Sequence, residues 1–283
     1  MSPGGQTLRK QYVGAYDACI CDASGNPLDI SNQNASSSSS YSSGYKIRSL
    51  KGAKPFVKST RATARTAAEA NGGHLVNALF NQYLILMAMI EGGSLNTQTA
   101  ISTGYSFASA FEYSWSRFSG RCNFGNGTGN LYADPVQDSS ISWASGLNPQ
   151  FQIVQFQYRG IENAWGHVNK ITDGFVKDDN GYYMTKDCSA YSDNDYVNSY
   201  TWESHVWPTN SGYIQTFDPR TFLPVSVGGS DTTYLPDYFY PSSGAAWISY
   251  GGHLGNAGYA GASYVDSAGF QYTAYNEGFR ISA

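Results

Sequence analysis

The chain has 283 residues, of which 13% are charged, and its formal net charge is −4. That length is enough for one large domain or two small ones, and enough to bury a proper core. The aromatic fraction of 15% argues against a disordered chain, and the lack of a dense basic run argues against a nucleic-acid partner, which would require a positive face.

The composition is rich in tyrosine, with 23 residues, and in glycine, with 31. Antibody combining sites favour Tyr, Ser, Gly and Asn because tyrosine offers a rigid, amphipathic contact area at low entropy cost. Tyrosine-rich β proteins without a binding role are also common. Composition alone therefore leaves a binding protein and an ordinary β-rich protein both open.

The N-terminal part of the chain predicts a strand and then a loop. The run QYVGAYDACI, residues 11–20, alternates loosely and is typical of a strand. The low-complexity run NASSSSSYSSGY, residues 34–45, cannot form a core, and we expect a surface loop there.

Two helices are predicted next. Ser59 or Thr60 caps the first helix, which continues through Ala70 and is ended by Asn71 and the glycines after it. Asn77 caps the second helix, and Gly92 with Gly93 stops it. Helical spacing predicts that one face of this second helix is buried, comprising Val76, Leu79, Phe80, Tyr83, Leu84, Met87 and Ile90.

After Ser94 the pattern changes to short apolar runs separated by Gly, Asn, Asp and Pro, as in FASAFEYSW and FQIVQFQYRG. Short strands and long loops are expected here, and KDDNGYY, residues 177–183, predicts a hairpin turn. Two helices followed by strands predict an α+β fold, organised as a single domain over residues 1–283.

Neither a disulfide scaffold nor a metal site is predicted. The cysteines, Cys19, Cys21, Cys122 and Cys188, are few for this length and contain no CxxC pair, so we expect free and mostly buried thiols. The histidines are scattered with no metal-binding spacing, at positions His74, His167, His205 and His253. We expect no cofactor. We also expect no membrane insertion, because the longest apolar run, residues 83–90, is too short to span a bilayer.

Three segments occur in the order found in one protein family. They are the helix pair with AAEANGGHL between the helices, then YRGIENAWGHVNKITDGF, then WISYGGHLGNAGYAGASY followed by EGFRISA. This order resembles the C-type lectin-like fold in its formylglycine-generating-enzyme form. Residues 160–166 and Asp173 match its middle motif loosely, residues 251–252 match its paired glycines, with His253 where serine is usual, and residues 278–280 match its terminal GFR.

A phage branch of this fold is more similar still. KPFVKSTRATART, IEGGSLNTQTAI, YRGIENAWG and TTYLPDYFY look like that branch, and the resemblance covers the chain from about Tyr12 onward. Its members are tail-associated receptor-binding proteins, many of them variable proteins of diversity-generating retroelements. The resemblance implies two helices packed on short twisted antiparallel strands with long loops, and termini that lie close together.

The segment RGIENAWGHV allows a structural and a catalytic interpretation. Trp165, with Ile161 and Val168, is expected to fill the core, and Glu162 could pair with Arg159 or cap neighbouring amides. A general acid–base role for Glu162 with His167 would need a pocket and a partner that the sequence does not show. Near the end of the chain, Arg280 is expected to be structural, tied to carboxylates or carbonyls.

In the phage branch, the segment after the paired glycines carries the ligand-contacting side chains, which places the implied contact region at residues 247–283. The predicted ligand-binding residues are Trp247, His253, Asn256, Tyr259, Ser263, Tyr264, Asp266, Gln271, Tyr272 and Tyr275. The tyrosines would act as anchors and the amides and hydroxyls as adaptable hydrogen-bonding groups. In ASYVD, Tyr264 and Asp266 are expected to share one face, so these side chains cannot all point outward.

The sequence therefore predicts a non-enzymatic ligand-binding protein, located in a phage tail or on a bacterial cell surface. Its partner would be a host-surface protein or glycan, and it could form a homo-oligomer on the virion. A diverged formylglycine-generating-type enzyme is the alternative; that family uses a cysteine pair in the C-terminal part of the fold, and here none follows Cys188. A structural virion protein is the third interpretation.

Overall fold

The computed structural model of the protein describes residues 12–28, 44–50, 53, 55–104, 106, 157–203, 207–274 and 276–283. The predicted α+β class is confirmed. The expectations for residues 34–43, Cys122, His205 and Tyr275 lie outside the described residues, as do FASAFEYSW and the first six residues of FQIVQFQYRG.

The described helices are α1 (Arg61–Glu69), α2 (Ala78–Gly92), α3 (Thr97–Ala100) and α4 (Tyr196–Ser199). The first strands are β1 (Ala18–Cys21), β2 (Lys46–Ser49), β3 (His74–Leu75), β4 (Gln157–Tyr158), β5 (Ile161–Glu162), β6 (Asn169–Asp178), β7 (Gly181–Met184) and β8 (Thr201–Glu203). The remaining strands are β9 (Gly212–Phe217), β10 (Pro224–Val227), β11 (Tyr238–Tyr240), β12 (Ala246–Tyr250), β13 (Val265–Gly269), β14 (Glu277–Phe279) and β15 (Ile281–Ser282).

Within the described residues, the largest sheet has nine strands. Its order is β10-β9-β11-β13-β12-β6-β7-β8, and β14 also pairs with β6. The pairs β11–β13 and β14–β6 are parallel, whereas the other pairs are antiparallel. This order places β13 and β12, which carry the predicted contact residues Asp266 and Trp247, side by side, with β11 next to β13.

The central sheet has a hydrophobic core on each face. Along β12, Trp247 belongs to the cluster that packs against α1, whereas its neighbour Ile248 belongs to the cluster that packs against α2. Successive side chains of a strand point to opposite faces, which explains this division. Trp165 and Val168 are buried, as predicted, and Ile161 is partly buried against the cluster that contains Trp165.

Both predicted helices form where expected. Thr60 caps α1 through its hydroxyl, which accepts a hydrogen bond from Thr63 N, and Asn77 Oδ1 caps α2 by accepting from Phe80 N at 2.9 Å. Gly93 ends α2 in the left-handed conformation, with φ of 60°. These boundaries depend on local chemistry that the sequence displays directly.

The predicted buried face of α2 is wrong for several residues. Tyr83 is 51% exposed and Ile90 is 63% exposed, whereas Ala78, Ile85 and Ala88 are buried. The helix is apolar almost all round, so hydrophobic periodicity alone could not select the face that meets the sheet. The small alanines allow α2 to lie close to the sheet.

The strand predicted over residues 11–20 is shorter than expected, since β1 begins only at Ala18. Before it, Asp17 turns into an ion-pair cluster with Arg280 and Lys170 instead of continuing the ladder. The hairpin predicted over residues 177–183 is confirmed: Asp178 pairs with Gly181 across the turn between β6 and β7.

The two ends of the described chain are joined, as the resemblance implied. Tyr12 N donates to Ala283 O at 3.1 Å, and Gly14 N donates to Ile281 O at 2.9 Å. Arg280 is structural, as predicted: Nη2 donates to the carbonyl oxygens of Glu162 and Asn163 and lies 2.9 Å from Asp17 Oδ1.

Cys19 and Cys21 are buried, as expected, and their sulfur atoms lie 4.0 Å apart. Cys188 is partly buried. Burial raises the pKa of the Cys19 thiol to about 12, which keeps this thiol in its protonated, unreactive form.

Candidate ligand-contacting surface

Four partly exposed tyrosines form one continuous group, which we call the tyrosine patch: Tyr213, Tyr238, Tyr240 and Tyr259. Tyr238 and Tyr240 flank the fully buried Phe239 on β11, so strand alternation turns both tyrosines to the same, outer face. Tyr213 lies on the neighbouring strand β9, directly opposite Tyr238 in the ladder.

The rings of the patch touch one another. The centroids of Tyr213 and Tyr238 are 5.1 Å apart, and those of Tyr238 and Tyr240 are 4.7 Å apart. Tyr259 closes the group, at 4.6 Å from Tyr238 and 5.5 Å from Tyr213. These spacings match favourable aromatic pairing. Because the rings fill the space between them, a ligand would lie on the patch and not between its rings.

Tyr259 is placed by a short 3-10 segment, Leu254–Tyr259, that follows the paired glycines. His253 Nδ1 accepts from Gly255 N at 3.1 Å, and Asn256 Oδ1 accepts from His253 N at 2.6 Å, so the two side chains cap the segment reciprocally. Gly252 has φ of 71° and lies against Ala260, a position where a side chain would clash. Burial lowers the pKa of His253 to about 4, so the imidazole is neutral at pH 7.

A buried carboxylate, Asp237, supports this segment from below. Its Oδ2 accepts from Ser263 N at 2.7 Å, and its Oδ1 accepts from Gln98 Nε2 at 2.6 Å. Gln98 also donates to the carbonyl oxygen of Gly258, the residue before Tyr259. Burial raises the pKa of Asp237 to about 6. The α3 helix is thereby linked to the backbone that carries the outermost tyrosine.

Two further carboxylates lie beside each other behind the patch, on β13 and β14. Asn169 Nδ2 donates to both, at 2.6 Å to Glu277 Oε1 and 3.3 Å to Asp266 Oδ2. Burial raises the pKa of Asp266 to about 7, and burial together with the charge of Asp266 raises the pKa of Glu277 well above its ordinary value. Two adjacent carboxylates in a region of low solvent access resist carrying two negative charges at once.

Tyr264 connects this pair with the patch. Its hydroxyl interacts with Asp266 and with Asn256, and its ring lies 6.0 Å from that of Tyr240. Tyr264 and Asp266 therefore share one face, as predicted from the alternation in ASYVD.

The predicted contact residues divide by burial. Tyr259 is 38% exposed and Tyr272 is 46% exposed, Gln271 is exposed, and Asp266 is partly buried. Five of the predicted contact residues are buried and do not face outward as expected: Trp247, His253, Asn256, Ser263 and Tyr264. The buried residues cap, anchor or pack the segments that carry the exposed ones, and a role of any of them in ligand contact stays a prediction.

Sequence reasoning missed three of the four residues of the patch. Tyr213, Tyr238 and Tyr240 lie outside the predicted contact region of residues 247–283, although YFY at residues 238–240 shows the alternation of a half-buried strand. Asn169 and Glu277 were also missed. They become neighbours only through the parallel pairing of β6 and β14.

The acid–base interpretation of Glu162 and His167 gains a pocket and a partner in the structure. His167 Nδ1 lies 2.8 Å from Asp17 Oδ2, at a cavity of about 10 Å³ that Glu162 and Asn163 also line. Such a volume admits one water molecule. Arg159, which could have paired with Glu162, pairs instead with Glu91. Burial would raise the pKa of Asp17, but the charges of Arg280 and Lys170 outweigh it and hold this carboxyl ionised.

Among the described residues, no three His, Cys, Asp or Glu side chains are grouped so that they could hold a metal ion. Over the same residues, no helix combines the length and the apolar character needed to cross a membrane. No protein-family model matches the chain, and no curated protein matches its sequence.

Proposed function

We propose that the chain is a non-enzymatic receptor-binding protein with a C-type lectin-like fold of the formylglycine-generating-enzyme form. Its contact surface is the tyrosine patch, extended by the exposed side chains of Tyr272 and Gln271. The observation that supports this proposal is the mutual contact of four partly exposed tyrosine rings from three separate stretches of the chain. Tyrosine clusters of this kind provide rigid, amphipathic anchors for a partner.

The partner is a host-surface protein or glycan, and the protein acts on a phage tail or a bacterial cell surface. Aromatic faces stack on the apolar faces of sugars as readily as on protein side chains, so the patch suits both ligand classes. Homo-oligomers on a virion would raise a weak single-site affinity through multivalency. The resemblance to retroelement variable proteins further implies that adenine-directed mutagenesis changes exposed positions such as Tyr259 and Tyr272.

The test is binding of the fluorescently labelled protein to a panel of intact bacterial cells and to a glycan array. Tyr259→Ala and Tyr238→Ala should each weaken binding by about tenfold or more. Tyr83→Ala is the matched control, because Tyr83 is a half-exposed tyrosine on α2, outside the patch. Equal binding by the patch variants and the control would remove the patch as the contact surface.

The gene and its flanking DNA provide an independent test of diversification. The codons of Asn256, Tyr259, Tyr264, Tyr272 and Tyr275 should align with adenines in a nearby near-repeat beside a reverse-transcriptase gene. Without such a repeat, the retroelement part of the proposal fails and an ordinary lectin-like adhesin remains.

Two alternatives make different predictions. If the chain is only a structural virion protein, phage that carry patch variants should keep the host range of the wild-type phage. The Asp17–His167 pair at its cavity is the observation that favours a diverged enzyme. In that case His167→Ala would abolish turnover, while ligand binding at the tyrosine patch would be retained. The cavity of about 10 Å³ has room for a water molecule but not for a substrate, so binding remains the better-supported function.

A further inference from the structure

The neighbouring carboxylates Asp266 and Glu277 share one hydrogen-bond donor, Asn169 Nδ2. Asn276 Nδ2 also donates to Glu277 Oε1, at 3.4 Å. Asn169 is fully buried, and its Oδ1 has no hydrogen-bond partner among the described residues. If this amide turned over, Oδ1 would accept a hydrogen bond from a protonated carboxyl, so the arrangement has a natural place for one proton.

The charged and titratable groups around the pair are few. From β6, Lys170 acts on Glu277, but Lys170 is also held by Asp17 and donates to the carbonyl oxygens of Gly166 and Val168. Tyr264 faces the pair from the start of β13, and Tyr272 faces it from the turn after β13. The single lysine offsets only part of two negative charges in a region of low dielectric constant.

Two routes lead from the pair to the patch. The first is the Tyr264 ring, which contacts Tyr240 and through it Tyr238. The second is Asn256, which meets the Tyr264 hydroxyl and also caps the 3-10 segment that carries Tyr259. A shift of Tyr264 would therefore reach the patch from both sides.

We propose that Asp266 and Glu277 share one proton, and that loss of this proton displaces Tyr264 and loosens the tyrosine patch. This assigns a pH-dependent control to the contact surface, and it rests on the proposed function only for its biological meaning. When both carboxyls are ionised, they repel each other across the space between β13 and β14. Tyr264 directly precedes β13, so this repulsion acts on its position. Ligand binding then weakens as the pH rises through neutrality.

The sign follows from the direction of the two shifts. Both carboxyls have a higher pKa in the folded protein than in an unfolded chain, so the stabilising contribution of each is complete below about pH 4. The contribution of Asp266 is lost as the pH rises through about 7, and that of Glu277 is lost as the pH rises through its own raised pKa. His253 and His167 act in the opposite sense, because burial lowers the pKa of each. The informative quantity is therefore the difference between the wild type and a carboxamide variant.

The experiment is a carboxyl-carbon NMR titration of the ligand-free protein from pH 4 to 9, with the ring resonances of Tyr264, Tyr240 and Tyr259 followed in parallel. In the wild type, one carboxyl step should occur near pH 7, and the three rings should shift with the same midpoint. In Asp266→Asn, the remaining Glu277 step should move down by more than about one pH unit, because the neighbouring charge is gone. The ring shifts near pH 7 should then disappear.

Glu277→Gln provides the reciprocal variant, and Asp231→Asn, at an exposed aspartate near Tyr213, is the control that should change neither titration. Two independent carboxyl steps near pH 4 would overturn the shared proton. Carboxyl titration without any ring response would overturn the coupling. Since no ligand is used, either failure would leave the proposed binding function standing, and a failure of cell or glycan binding would leave this titration unaffected.

Discussion

The rings of Tyr238 and Tyr259 lie 4.6 Å apart between centroids, although one belongs to β11 and the other to the 3-10 segment Leu254–Tyr259. Tyr238 also contacts Tyr213 and Tyr240, which makes it the central ring of the patch. Tyr259 contributes contact area at the edge, while Tyr238 holds the other rings in place.

This difference predicts unequal costs of truncation. Tyr238→Ala should lower the free energy of unfolding by about 2–3 kcal/mol, and Tyr259→Ala by about 1 kcal/mol, because the first removes three ring contacts and the second removes two at an exposed edge. Chemical denaturation of both variants and of the double variant measures this. The double variant should lose about 0.5–1.5 kcal/mol less than the two single losses combined. Strict additivity would show that the two rings are not coupled.

Arg280 should be among the most sensitive residues of the chain. Arg280→Met leaves Asp17 buried beside only Lys170 and His167 and removes the donors to three carbonyl oxygens, with an expected loss of about 3–5 kcal/mol. Arg220→Met is the control: this largely exposed arginine pairs with Asp218, and its loss should cost less than about 1 kcal/mol. Thermal unfolding of the two variants makes the comparison. Similar losses would contradict a structural role for Arg280.

Two glycines on either side of Tyr259, Gly258 and Gly261, should respond in opposite ways. A Cβ at Gly261 would overlap the carboxylate of Asp237, whereas a Cβ at Gly258 would meet nothing within 4 Å. Gly261→Ala should therefore cost about 1–3 kcal/mol and weaken binding, because it displaces the carboxylate that anchors Ser263 N. Gly258→Ala should be close to neutral. Unfolding and cell-binding measurements on the pair test this, and a tolerated alanine at position 261 would contradict the close approach.

The thiols should differ in reactivity. Burial raises the pKa of Cys19 from 9.0 to about 12, which reduces its thiolate fraction by about a thousandfold, whereas Cys188 is only partly buried. Iodoacetamide should label Cys188 rapidly in the native protein and Cys19 only after unfolding, as measured by peptide mass spectrometry. Equal labelling rates in the native state would mean that β1 opens readily.

Local chemistry made the helix ends predictable. Thr60, Asn77 and Gly93 act at their own positions, so no knowledge of the tertiary structure was required. The face of α2 was not predictable in this way. Tyr83 and Ile90 are apolar enough to be buried, yet Ala78 and Ala88 are the buried residues. Which face of the helix is buried depends on the distance between helix and sheet.

The candidate site was predicted only in part for a similar reason. The segment after the paired glycines does carry Tyr259, but strand pairing supplies the other tyrosines of the patch from β9 and β11. The pairing of Asp266 with Glu277 depends on the parallel contact between β14 and β6, a relation between distant positions that no local pattern reveals. Residues such as His253 and Asn256 have the polar chemistry of contact residues, but here their side chains accept hydrogen bonds from the backbone.

The patch draws its four rings from residues 213, 238, 240 and 259, so a combinatorial library confined to one C-terminal cassette would sample only one of them. An engineered binder on this scaffold would need randomised codons in three stretches of the gene. The glycines at positions 252 and 261 would have to stay fixed, because Ala260 and the Asp237 carboxylate leave no room there for a side chain.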